Sequence, residues 1–164
     1  MMNNRQCVLG NSPFGGLKGA SFIQSKQTYP LRLEVLWQHK NSLEECGLDI
    51  DDLETTFHVG AFKNGELVSV GTFLVQRNEK FEEKYQYRLR AMATSPKVRG
   101  ENFGKEVIDF ALKELKIREV ELLWCDAREV AIGFYEKMGF NILGDFYEVP
   151  MIGKHKLMYK KLEV

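Results

Sequence analysis

The chain has 164 residues, in which 23 Lys and Arg balance 23 Asp and Glu, so the formal net charge is zero. This length fits one domain that needs no metal or disulfide to fold, and a charged fraction of 28% is ordinary for a globular protein and argues against wholesale disorder. The charge balance disfavours a dedicated nucleic-acid-binding protein, and no apolar run approaches the ~20 residues that cross a bilayer.

The three cysteines, Cys7, Cys46 and Cys125, are far apart and include no Cys-x-x-Cys pair. Neither a disulfide framework nor a zinc site is indicated, and no metal is expected. The first 22 residues lack the apolar stretch of a secretory signal. We therefore expect a cytoplasmic protein that binds neither nucleic acid nor membranes.

An irregular segment precedes the first predicted elements of the chain. Residues 1–19 are rich in Asn and Gly without periodicity, which indicates a loose or irregular arm before a single domain over 20–164. A short strand is predicted near Ala20–Lys26. Thr28 can cap a following helix that tolerates Pro30 in its first turn, and Ser42 begins an S-L-E-E capping box for a brief helical turn.

Three strands are predicted next. Thr56–Phe62 and Glu66–Gln76 flank Asn64-Gly65, which is a strong hairpin-turn signal. His58 lies within the first of these strands and is interpreted as structural. Alternating apolar residues predict a further strand over Tyr85–Ala93.

The last third alternates helices and strands. Apolar spacing predicts a helix over Phe103–Lys116 and a buried strand over Glu119–Cys125. Asp126 is interpreted as the N-cap of a second helix, Ala127–Met138, which ends at a glycine. Two strands close the chain, over Phe140–Val149 and Lys154–Lys161. The order predicts an α/β (α+β) fold with a twisted mixed sheet of about seven strands flanked by helices.

The segment LRAMATSPKVRGENFGK (Leu89–Lys105) runs from a strand through a glycine-bearing loop into a helix. Free N–H groups at a helix N-terminus attract anions, so the loop can bind phosphate, or it can be a tight turn that needs positive φ. The segment is one residue short of a P-loop and lacks its Ser/Thr. The Rossmann pattern G-x-G-x-x-G is also absent.

The loop Arg99-G-E-Asn102-F-Gly104 resembles the pyrophosphate loop of the GNAT superfamily of N-acetyltransferases, Q/R-x-x-G-x-G/A, with Asn102 in place of the middle glycine. LLWCDAREVAIGFYEKMGF, residues 122–140, resembles a strand–helix–strand segment of that fold. The resemblance covers about residues 22–162. TYPLRLEVL, YRLRAMAT and HKLMYKKL are similar to the glyphosate N-acetyltransferase branch. The resemblance implies a GNAT-like sheet with an acyl-CoA cleft where strands splay.

The same resemblance implies acetyl-CoA as co-substrate. Strand backbone would bind its pantetheine arm, and the loop amides would bind its pyrophosphate. The implied cofactor-binding residues are Met92, Ala93, Thr94, Arg99, Gly100, Glu101, Asn102, Phe103, Gly104 and Lys105.

Two residues match catalytic positions of the resembled branch. His155 would be the general base, since imidazole titrates near pH ~6.5 and can take a proton from an amine. Tyr135 would protonate the leaving thiolate. Taken without the resemblance, His155 could be a packed strand residue, and Tyr135 could pack its ring on an inner helix face.

Three further residues match acceptor-binding positions. Arg90 and Arg128 would hold anionic groups of the acceptor, or could form ordinary ion pairs. Trp37 occupies a position where the branch often has an arginine. It could form an apolar wall of the acceptor site or simply pack.

The predicted function is acetyl-CoA-dependent N-acetylation of a small primary or secondary amine, possibly amino-acid-like and carboxylate-bearing, by direct attack on the thioester. A protein or peptide N-acetyltransferase and a non-catalytic acyl-CoA-binding module are the alternatives. The resemblance is also compatible with a homodimer.

Overall fold

A computed structural model describes residues 19–163. These residues form a seven-stranded sheet in the order β1-β2-β3-β4-β5-β7-β6. Strands β4 and β5 are parallel, and every other neighbouring pair is antiparallel. The strands are β1 (Gly19–Ile23), β2 (Phe57–Lys63), β3 (Glu66–Val75), β4 (Gln86–Thr94), β5 (Leu122–Arg128), β6 (Asn141–Val149) and β7 (Gly153–Lys161). The predicted mixed sheet of about seven strands is confirmed.

The helices lie on both faces of this sheet. Helix α1 (Tyr29–Leu31) continues as a π-helical turn over Arg32–Leu36, and helices α2 (Phe103–Ile117) and α3 (Ile132–Lys137) follow. Short 3-10 turns occupy Ser25–Thr28, Glu44–Cys46, Pro96–Val98 and Glu129–Ala131.

The β2–β3 hairpin forms where the sequence predicts it. Asn64 has φ 49° and Gly65 has φ 82°. Two successive positive φ angles suit the right-handed twist of a two-residue hairpin, and Asn followed by Gly adopts them with little strain. This turn, together with a register shift between Ala61 and Phe62, sets the pairing in which His58 lies opposite Thr72.

The two faces of the sheet have different chemistry. Under α2 and α3 the sheet packs an apolar core in which α2 buries one stripe of side chains: Phe103, Val107, Ile108, Ala111 and Leu115. On the opposite face, Arg88 lies beside Trp124 and Arg128 beside His155 in cross-strand register. Because paired residues point to one side of a sheet, polar side chains from β4, β5 and β7 share that second face.

The prediction that Asp126 caps a helix is wrong. Strand β5 continues through Asp126 to Arg128, and helical structure begins only at Glu129. The alternation of buried and more exposed side chains that is typical of a strand continues through this segment. Cys125 and Ala127 are buried in the core, and Asp126 points to the polar face. There its carboxylate pairs with Arg88 at 2.6 Å. Arg128 is therefore a strand residue and not part of a helical first turn.

Two smaller predictions near the start of the domain also change. Thr28 precedes α1, but its hydroxyl donates to the Ser25 carbonyl instead of capping. The S-L-E-E turn is present as the 3-10 turn Glu44–Cys46 without side-chain capping. Gly19 is the first residue of β1, and the rest of the predicted arm, residues 1–18, lies outside the described residues.

Candidate active site

A cavity of about 290 Å³ opens where β4 and β5 separate. The two strands pair only from Gln86 with Leu122 to Leu89 with Cys125, and both continue beyond that point. Ala91 has φ 52°, and the β3–β4 register shifts opposite it, as expected of a β-bulge. The bulge turns β4 away from β5, so the gap connects the polar face of the sheet with the α2–α3 face.

The cavity collects side chains that are distant in sequence. Its lining includes Trp37, Arg88, Arg90, Met92, Asp126, Arg128, Tyr135, Tyr147 and His155. It therefore brings together every predicted catalytic and acceptor-binding residue.

The β4 backbone presents polar groups to this gap. Ala93 pairs with Val70, and the Ser95 amide donates to the Val68 carbonyl on the β3 side. Since backbone groups alternate sides along a strand, those of Met92 and Thr94 point toward the gap. Both side chains also make contacts within the protein: Met92 packs against the core, and the Thr94 hydroxyl hydrogen-bonds Ser69 at 2.7 Å.

The loop before α2 has two residues in the left-handed region. Gly100 has φ 82° and Asn102 has φ 67°, and a Cβ on Gly100 would meet only open space. Asn is the residue that tolerates this conformation best after glycine, which explains Asn102 at the resembled family's glycine position. The first N–H groups of the 15-residue helix α2 point out of its N-terminus beside this loop.

Charged residues of this segment are paired within the protein. Glu101 forms an ion pair with Lys63 at 2.7 Å, and Lys105 pairs with Asp109 one turn along α2 at 2.6 Å. Arg99 is exposed. Gly104 allows close packing, because a Cβ there would lie 3.2 Å from the Phe134 ring.

His155 is buried, with 5% of its surface exposed, and its Nδ1 lies 2.8 Å from the Gly153 carbonyl oxygen. A carbonyl oxygen can only accept, so Nδ1 carries a proton, and a neutral imidazole with this tautomer has its lone pair on Nε2. His155 lines the cavity, so its imidazole is close to a group bound there.

Tyr135 reaches the same cavity from α3. Its ring packs between Phe134 and Phe140, with centroids 5.1 and 5.3 Å away. Burial raises the pKa of its hydroxyl well above the usual value, and Cys125 adds to this effect. The phenol therefore stays protonated and can donate.

Arg90 and Arg128 bring two cations to the cavity without paired carboxylates among residues 19–163. Arg128 Nη2 donates to the Leu36 carbonyl at 3.0 Å. Burial lowers the pKa of both guanidiniums, and for Arg90 the nearby cations Arg88 and Arg32 add to this effect. Both remain charged, because an arginine side chain does not deprotonate in proteins. An anion entering the cavity would offset this positive charge.

Trp37 both lines the cavity and packs on cations. Its ring lies 4.8 Å from Lys40 Nζ and 5.8 Å from the Arg32 guanidinium carbon. The sequence left open whether Trp37 forms a wall of the acceptor site or simply packs, and these two roles are compatible.

Two features of the site had no recognisable signal in the sequence. The Tyr147 hydroxyl, on the exposed strand β6, donates a hydrogen bond to Asp126. In the buried cluster beside Arg90, Arg32 binds Asp51 at 2.7 Å and Thr72 at 2.8 Å.

Comparison with known proteins identifies the molecule as an acyltransferase. It belongs to the acetyltransferase (GNAT) family, whose model matches residues 22–140. It is similar to the protein named uncharacterized N-acetyltransferase YitI of Bacillus subtilis (strain 168), with 37% identity over 140 residues, which are 85% of this chain and 93% of that protein.

Solved structures share the fold at low identity. Escherichia coli ElaA superposes with a TM-score of 0.68 and 19% identity, covering 88% of this chain and 99% of its own. An aminoglycoside 6'-N-acetyltransferase complexed with coenzyme A superposes with a TM-score of 0.69 and 16% identity, covering 87% of this chain and 96% of its own. The GNAT family assignment from the sequence is confirmed, whereas the narrower branch stays a prediction.

Among residues 19–163, no group of three or more His, Cys, Asp or Glu side chains is arranged to hold a metal ion. No helix in that part of the chain is both long and apolar enough to cross a membrane.

Proposed function

We propose that the protein transfers the acetyl group of acetyl-CoA to a small primary or secondary amine that carries an anionic group such as a carboxylate. One observation carries the proposal: Arg90 and Arg128, which form no ion pair among residues 19–163, line the same cavity as His155, whose Nδ1 donates to the Gly153 carbonyl. A base beside two cations suits an acceptor with an amine at one end and an anion at the other.

His155 would prepare the amine. An ammonium group has no lone pair, so it must lose a proton before attack. With Nδ1–H donated to Gly153, Nε2 of His155 can take that proton directly or through one water. Nothing in this role requires a covalent intermediate on the protein.

The acetyl thioester supplies an activated carbonyl when acetyl-CoA is bound. The gap-facing backbone of Met92 and Thr94 fits the pantetheine arm. The α2 N-terminus with the Gly100–Gly104 loop fits the pyrophosphate, since free amides and the helix dipole attract anions. The amine nitrogen bonds to the carbonyl carbon, the carbon–sulfur bond breaks, and Tyr135 donates its proton to the departing thiolate. The acylated nitrogen releases its remaining extra proton, which restores the Tyr135 hydroxyl.

Arg128 and Arg90 would orient the acceptor, and Trp37 would line its remaining surface. The Trp37 ring and the Leu36, Val149 and Ile152 side chains line the cavity, which favours an apolar group on the acceptor. An arginine at position 37, as in the resembled glyphosate N-acetyltransferase branch, would instead favour a second anionic group.

Thiol release from acetyl-CoA tests the proposal. Purified protein would be assayed with amino acids, aminophosphonates, polyamines and peptides, and thermal stabilisation by coenzyme A would be recorded in parallel. We expect release with carboxylate-bearing amines and its loss in His155→Ala, which should still be stabilised by coenzyme A. Release with peptides alone would favour a protein acetyltransferase. Stabilisation without release from any amine would favour a binding module.

A further inference from the structure

Tyr147, near the end of β6, connects His155 to an ion pair on two other strands. Its ring stacks on the His155 imidazole, with centroids 6.1 Å apart and planes inclined by 28°. Its hydroxyl donates to Oδ1 of Asp126, and the other oxygen of Asp126 accepts from Arg88 Nη2 at 2.6 Å. These contacts form a continuous series from Arg88 on β4 through Asp126 on β5 and Tyr147 on β6 to His155 on β7.

The register of the sheet explains how an edge strand reaches the cavity. Tyr147 lies directly opposite His155, and the β6–β7 pairing shifts between Leu143 and Tyr147. Gly144 in this irregular stretch has φ 82°, which few other residues adopt. A bulge of this kind bends a strand and redirects its side chains. It allows the Tyr147 hydroxyl to reach Asp126 across the intervening strand β7.

The hydroxyl of Tyr147 is a hydrogen-bond donor to Asp126. It remains a donor, because burial and the hydrogen bond to Asp126 both raise its pKa. Asp126 in turn is fixed from its other side by Arg88, which also hydrogen-bonds Gln76 at 3.2 Å. A ring that only covered apolar surface would need none of these polar contacts. Their combination fixes the plane of the ring that lies against His155.

We propose that Tyr147 is a positioning residue for His155, and that Asp126 and Arg88 act by holding Tyr147 in place. The Gly153 carbonyl sets which nitrogen of His155 is protonated, and the stacked ring restricts how the imidazole turns. Together they fix the orientation of the imidazole at the cavity. This inference rests on the proposed function of His155 as the base.

The test compares Tyr147→Phe, which keeps the ring, with Tyr159→Phe as a matched control on β7. Tyr159 lies on the same face of the sheet, where its ring packs on Phe81 at 5.1 Å, outside the cavity lining. We expect Tyr147→Phe to lower kcat roughly 10-fold, since small misplacements of a reacting group are costly, and to leave the KM for acetyl-CoA unchanged. Tyr159→Phe should match the wild type.

A double-mutant cycle tests whether Asp126 acts on kcat through Tyr147. Asp126→Asn should also lower kcat, and combining it with Tyr147→Phe should cost less than the product of the two single losses, because both remove the same contact. Multiplicative losses would mean that Asp126 and Tyr147 act separately and would overturn the arrangement. Circular dichroism of each variant verifies folding.

A second readout does not depend on turnover. Ring ¹⁵N and ¹H resonances of His155, assigned with His155→Ala, report its tautomer and its order. We expect one sharp Nδ1–H species in the wild type, and shifted or broadened signals in Tyr147→Phe. Unchanged resonances together with unchanged kcat would overturn the positioning role. If the wild type releases no thiol with any amine, the proposed function fails, while this comparison still decides whether Tyr147 orders His155.

Discussion

Arg128 on β5 and His155 on β7 are direct cross-strand partners in the antiparallel pair that forms one wall of the cavity. Directly opposed residues project their side chains to the same face, with Cβ atoms roughly 5 Å apart. The cation proposed to bind the acceptor's anionic group is therefore fixed beside the proposed base by backbone hydrogen bonds. This pairing sets the spacing that an acceptor must have between its amine and its anionic group.

Replacing Arg128 should weaken the binding of the acceptor and leave the binding of acetyl-CoA unchanged. In Arg128→Gln the KM for a carboxylate-bearing amine should rise about 10-fold or more, because a hydrogen bond to a charged group contributes about 1.5–3 kcal/mol. The KM for acetyl-CoA should not change. Steady-state kinetics with each substrate varied in turn measures both. Arg77→Gln, in an exposed loop, is the control; equal effects of the two variants would contradict the assignment.

The ion pair of Arg32 and Asp51 should dominate the stability of the region beneath the cavity. Both side chains are almost fully buried and 2.7 Å apart. Asp51→Asn leaves the Arg32 charge uncompensated, so the free energy of unfolding should fall by about 3–5 kcal/mol. Urea denaturation measures this loss.

The exposed ion pair of Lys105 and Asp109 is the control for the buried pair of Arg32 and Asp51. Asp109→Asn should change the free energy of unfolding by less than about 0.5 kcal/mol, since solvent screens exposed pairs. Similar losses in Asp51→Asn and Asp109→Asn would show that the buried network is not a special source of stability.

His58 should make folding sensitive to mildly acidic pH. Its Nε2 donates to the Asp51 carbonyl and its Nδ1 accepts from Thr72, and burial lowers its pKa. The unfolded chain then binds a proton more readily than the folded one, so stability is complete above pH ~6.5 and falls as pH decreases below that value.

Urea denaturation between pH 8 and pH 5 tests this dependence. His58→Gln should be less stable at pH 8 and should lose less stability on acidification than the wild type. His39→Gln, at an exposed position, should follow the wild-type curve. A wild-type curve that is flat over this range would refute the prediction for His58.

Asn102 should be replaceable by glycine and not by alanine. Its φ of 67° costs an ordinary L-residue about 1–2 kcal/mol, whereas glycine adopts it freely. Asn102→Ala should therefore lower stability by about 1 kcal/mol and raise the KM for acetyl-CoA, while Asn102→Gly should retain both properties. Thermal denaturation and kinetics report the two effects. An alanine variant with unchanged KM would argue against the loop as the pyrophosphate site.

Local pattern was enough to predict most elements and their order along the chain. The hairpin at Asn64-Gly65 and helix α2 follow from turn chemistry and 3.6-residue periodicity, which act over a few residues. The boundary at Asp126 was misplaced because an acidic residue before a helix resembles an N-cap. Its actual partner, Arg88, lies 38 positions earlier in the chain.

The sequence by itself determined the fold class, the GNAT family resemblance and the residues His155, Tyr135, Arg90 and Arg128 as candidates. Only the tertiary structure decided that these four line one cavity, that Nδ1 of His155 is the protonated nitrogen, and that Tyr147 stacks on it. The physical reason is that cross-strand register, set by backbone pairing and by bulges at Ala91 and near Gly144, determines which distant side chains meet.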